Sequence, residues 1–73
     1  MKYETTEINY GIESVINENE YSINITIGLH PSDLVVPDFS KDIKVISKNS
    51  MTGFEVDEQR QKAIDDFMLS INN

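Results

Sequence analysis

The sequence contains no cysteine and no tryptophan, one histidine, two prolines and three glycines. Without cysteine there are no disulfides and no thiolate metal sites. One histidine cannot build a histidine-rich zinc site, so no metal or other cofactor is expected. The scattered glycines form no phosphate-cradling loop, and no stretch carries the alternating oxygen ligands of an EF-hand. Positive charge is scarce as well: six Lys+Arg face thirteen Asp+Glu, a net charge of −7. Such a chain is repelled by phosphate backbones and anionic lipid surfaces, so neither nucleic acid nor membrane is an expected direct partner. No apolar run approaches the length of a membrane-spanning helix. The opening "MKYETTEINY" lacks the apolar stretch of a secretory signal, and a cytoplasmic location is the expectation.

What remains is a chain of 73 residues, enough for a single domain over residues 1–73. A domain this small buries only about 60% of its unfolded surface. Small cores are commonly supported by disulfides, metals or self-association. With the first two excluded, a homodimer is one expected solution.

The clearest local pattern is "YSINITIGL", with Tyr21, Ile23, Ile25, Ile27 and Leu29 alternating with Ser22, Asn24 and Thr26. Period two with many β-branched residues predicts a half-buried strand. The polar cluster Asn17–Glu20 precedes it, and Ile12–Ile16 before that cluster predicts a hairpin partner with a loop of about four residues. The segment "KYETTEINY" has strand propensity, with Gly11 marking a turn or a bulge. Ile43–Ser47 predicts a further strand, and Met51–Val56 a return strand weakened by Gly53.

At the C-terminal end, Asp57 is the expected helix N-cap, with Glu58 in the first turn. Ile64, Phe67, Met68 and Ile71 form one apolar stripe bordered by Ala63, while Leu69 points away from it. Strands followed by one helix predict an α+β fold. It is a small antiparallel sheet of three to five strands with a C-terminal helix, about residues 58–71, packed on one face.

The chemistry-bearing letters cluster in "LHPSDLVVPDF", residues 29–39. His30, Ser32 and Asp33 have the composition of a catalytic triad, but triads draw their members from separate parts of a chain. Ser32 and Asp33 are turn-formers, and the segment reads as a crossover between strands. Enzymatic use of His30 and Asp33 is the third-ranked expectation, behind two non-enzymatic ones. Leu34, Val35, Val36 and Phe39 either pack over the open end of the core or form an alternative recognition loop.

The acids suggest the leading expectation. Glu13, Glu18, Glu20, Asp57, Glu58, Asp65 and Asp66 are the candidate contacts of a small non-enzymatic protein-binding module. It would be an inhibitor or accessory protein, of the kind encoded by phages and other mobile elements. It would dock on the basic surface of a larger partner such as a nucleic-acid enzyme, as a nucleic-acid mimic does. In a regular strand Glu4 and Glu7 point to opposite faces, so no ladder of acids is expected there. Lys41, Lys44 and Lys48 read as ordinary solvent-facing positions. The alternative expectation is a structural or assembly protein, a homo-oligomer joined at a strand edge or through Leu69.

Overall fold

The computed structural model describes residues 2–33 and 37–73. Three strands, β1 (Tyr3–Val15), β2 (Glu20–Pro31) and β3 (Phe39–Lys48), precede one helix, α1 (Gly53–Asn72). The strands form an antiparallel sheet in the order β1-β2-β3. This is the expected α+β architecture.

β2 is central because its apolar alternation needs cover. Ile23, Ile25, Ile27 and Leu29 are buried, and Val45 of β3 and Val56 and Ile64 of α1 complete the core. Phe67, Met68 and Ile71 pack against that cluster, as the helical stripe predicted. In the first half of the helix, Gln59 and Arg60 reach the two edge strands of the sheet. The Gln59 amide donates to the Ile46 carbonyl at 2.7 Å and accepts from the buried Ser47 hydroxyl. Arg60 instead stacks over the Tyr10 ring of β1, 3.9 Å from its centroid. At the far end, the Asn72 side chain clamps the Tyr3 backbone, accepting from its N–H at 2.8 Å and donating to its carbonyl at 3.3 Å.

One boundary departs from expectation. The segment Met51–Val56 forms no strand, and the helix starts at Gly53 rather than near 58. Thr52 is the N-cap in place of Asp57. Its hydroxyl accepts from the Glu55 N–H at 3.2 Å while the Glu55 carboxylate accepts from the Thr52 N–H at 3.3 Å. This reciprocal capping box satisfies two donors that a helix start otherwise leaves free. Asp57 lies inside the first turns and pairs with Arg60.

β1 is one continuous strand of 13 residues, so of the two readings of Gly11 the single long strand holds and the turn does not. Its pairing with β2 shifts register twice, between Thr5 and Glu7 and between Ile12 and Ser14. Each shift is a bulge that inserts one residue and inverts which face the following side chains occupy. The first bulge sits on Gly28. A Cβ there would meet Thr6 Oγ1 at 2.7 Å and the Glu7 backbone N and O at 3.3 Å. This close approach is what the glycine permits.

Candidate functional site

The triad-like residues do not face one another. His30 Nδ1 lies 3.0 Å from Asp38 Oδ1. The Ser32 hydroxyl donates to the Lys2 carbonyl at 3.0 Å, alongside the Ser32 N–H at 2.9 Å. Asp33 is exposed in the turn that follows. A nucleophile and its base need a shared hydrogen bond, whereas these bonds tie a strand end to its neighbours. Leu34, Val35 and Val36 lie outside the described residues. Phe39 meets Tyr3 edge to face, with ring centroids 5.6 Å apart. Its loop-side position leaves it just exposed, so it is neither a buried plug nor a free recognition side chain. Among the described residues no cluster of His, Cys, Asp or Glu suits a metal ion. Among the described residues, no helix is long and apolar enough to cross a membrane.

The acids divide among three places. Glu18 and Glu20 lie at the hairpin end, where the Glu20 carboxylate accepts from Asn17 at 3.1 Å. Asn49 donates to the Glu18 carbonyl at 2.7 Å, which brings this end beside the start of α1. Asp57 and Asp66 are nine positions apart, half a turn around the helix at about 100° per residue. Asp65 accepts from Gln61 at 3.0 Å, and Asp66 pairs with Lys62 at 3.1 Å. Glu58 is exposed. Asp65 and Asp66 lie further along the helix, so the seven candidate acids do not form a single face.

A different acidic row is present. The bulge at Thr6 overturns the expectation that Glu4 and Glu7 point to opposite faces. Glu4 pairs with His30 and Glu7 with Gly28, both even positions of β2, so both glutamates stand on the sheet face away from α1. Glu13 reaches the same open face, with its carboxylate 3.3 Å from Lys44. Lys44 pairs with Asn24, another open-face position. Glu4, Glu7 and Glu13 therefore line the β1 margin of one open face, and Glu18 and Glu20 follow at its end.

The helix side of β1 carries what the sequence reading did not single out. Ile8, Tyr10 and Ile12 pair with Ile27, Ile25 and Ile23, so they stand at the level of the core. Yet Tyr10 is 55% exposed, Ile12 70% and Val15 76%. The apolar layer of the sheet continues beyond the helix to an uncovered edge. The alternation of Ile8, Tyr10 and Ile12 is visible in the sequence. That β1 lies at an edge is not.

Compared with known proteins, the chain matches no family model, no curated protein and no solved structure. The functional reading therefore rests on its own surfaces. They are an acidic row and an apolar row, on the two faces of one edge strand.

Proposed function

We propose that this chain is a small acidic, non-enzymatic protein-binding module, an inhibitor or accessory protein acting in the cytoplasm. It docks on a basic surface of a larger partner such as a nucleic-acid enzyme. The observation that supports this reading best is the bulge-built row Glu4, Glu7 and Glu13 on the open face, continued by Glu18 and Glu20. A row of like charge on a rigid sheet steers a partner of opposite charge and fixes its register. Its partner is then a groove lined with Lys and Arg, of the kind that holds a phosphate backbone. A protein occupying that groove competes with the nucleic acid, which fits the small acidic proteins carried by phages and other mobile elements.

The test is a pull-down from host cells with the wild-type chain and a Glu4→Gln/Glu7→Gln/Glu13→Gln variant. A specific partner should be captured at low salt and released at high salt, since exposed charges are screened within a Debye length of about 8–10 Å. The variant should fold normally and lose that partner. Capture of no specific partner, or full capture by the variant, overturns the reading.

A further inference from the structure

We infer that the uncovered edge of β1 is the seam of a two-fold homodimer, in which β1 of one copy pairs antiparallel with β1 of a second copy about Tyr10. The pairing extends the two three-stranded sheets into one six-stranded sheet with both helices on the same face. This inference does not depend on the identity of a basic partner.

The register is self-complementary. Between the bulges, Glu7–Ile12 pairs regularly with β2. Its helix-side residues Ile8, Tyr10 and Ile12 are spaced evenly about Tyr10. A two-fold axis through Tyr10, perpendicular to the sheet, sets Tyr10 opposite Tyr10 of the second copy. It also sets Ile8 opposite Ile12 of the second copy. Both strands keep their helix-side rows on the same face, so apolar meets apolar. Such cross-strand pairs are the unit of sheet stability. Arg60 already stacks on Tyr10, and Asp57 neutralises it, so the helix-side row brings no unpaired charge into the seam.

The other edge of the sheet is guarded. Lys41 of β3 pairs with Ile27 and so occupies a helix-side position, and Lys44 and Lys48 stand on the same strand. Lysines and inward-pointing charges are how natural edges avoid pairing. β1 carries no lysine between Tyr3 and Val15. Pairing of β1 with β3 of another copy would match acid to base, but it would bury Lys41 beside apolar side chains. It would also leave free edges at both ends and grow an open filament.

The area suits a second copy. A stable interface takes about 800 Å² from each partner, roughly a sixth of this chain's 5070 Å². β1 holds 13 of the 73 residues, and all from Glu4 to Val15 are exposed. The exposed length of β1 and the flank of α1 are the surface available for a seam at the lower end of that class. Among the described residues the core it supports has seven buried apolar side chains, the situation in which small domains turn to self-association.

Charge gives the dimer a signature opposite to that of the partner complex. Each copy carries −7, and the two-fold sets both Glu4–Glu7–Glu13 rows side by side on the open face. Salt screens this repulsion, so the dimer tightens as salt rises while a complex with a basic partner loosens.

Sedimentation equilibrium of the purified chain across the micromolar range, at low and high salt, is the test. A two-chain mass that is favoured by salt is expected. Ile12→Asn, which keeps the charge constant, should weaken the dimer about 30-fold or more. Leu69→Asn on the exposed back of α1 should leave it unchanged. Hydrogen exchange at the Glu7–Ile12 amides should slow with concentration in the wild type but not in Ile12→Asn. The inference is overturned by a single-chain mass throughout, by an open series of larger species, or by a dimer that survives Ile12→Asn or needs Leu69. A single-chain mass leaves the partner pull-down unaffected, so the two readings fail separately.

Discussion

β1 and β2 are neighbours with nearly the same alternation of apolar side chains, and their fates differ. Ile23, Ile25 and Ile27 of β2 are sealed, at 3% exposure or less, whereas Ile12 beside Ile23 stands 70% in water. The difference is one of place. β2 has a strand on each side and α1 above it, while β1 has a neighbour on one side only and lies partly beyond the helix. Period-two alternation says that one face of a strand seeks cover. It does not say whether the chain itself supplies that cover. In β2 it does; in β1 most of that face stays exposed within the chain.

The most forceful way to break this comparison is to truncate equivalent isoleucines in the two strands. Ile25→Ala empties a fully enclosed site and should cost about 2–5 kcal/mol. Ile12→Ala, measured in dilute protein, should stay within about 0.5 kcal/mol, as exposed substitutions do. Denaturant titration of both variants reads the contrast directly. Similar losses would mean that β1 is covered within a single chain. A smaller effect is expected where the strands touch through the bulge. Gly28→Val places side-chain atoms against Thr6 Oγ1 and the Glu7 backbone and should cost about 1–3 kcal/mol. If the strand escapes by moving the bulge, Glu4 changes face and the backbone NMR contacts between Glu4 and His30 disappear.

Below that lies the helix start. Thr52→Ala removes a capping box and should cost about 1 kcal/mol. Asp57→Ala, at the position the sequence pattern favoured, loses only an i,i+3 pair and should cost about 0.5 kcal/mol or less. Thermal melts followed by circular dichroism separate the two. Equal losses would place the helix start further along the chain.

These contrasts show which parts of the structure were legible in advance. The hairpin, the odd-numbered core of β2 and the stripe Ile64–Phe67–Met68–Ile71 follow from periodicity, because burial on one side imposes it. Leu69 off that stripe is exposed for the same reason. The capping box Thr52–Glu55 was written in the letters, but Gly53 and the apolar residues around it matched a weak strand equally well. The bulges were not legible. Where an extra residue enters a ladder depends on the neighbouring strand, here on the missing side chain of Gly28. One inserted residue inverts the face of those that follow, and this is how Glu4 and Glu7 come to share a face. The site was therefore harder to read than the fold. Periodicity reports the buried face of each element, whereas a docking surface depends on how exposed residues of several elements are registered.

A last prediction, of a pairwise coupling, asks how firmly β1 is held to its own helix. At its start the strand is tied to α1 by the Asn72 clamp on Tyr3, and the Thr5 hydroxyl reaches the Met68 sulfur at 3.7 Å. At its middle the helix reaches it through Arg60 over the Tyr10 ring. A double-mutant cycle of Tyr10→Leu and Arg60→Met in dilute protein should give a coupling of about 0.5–1 kcal/mol. The sign of a second measurement sharpens the comparison. If the stacking is what holds the middle of β1 down, both single variants should speed hydrogen exchange at Ile8–Ile12 and leave Ile23–Ile27 unchanged. A coupling near zero would mean that β1 from Ile8 onward is held by backbone pairing to β2 alone. The strand would then cost less to reshape against a second copy, and its exposed isoleucines would belong to the interface more than to the fold.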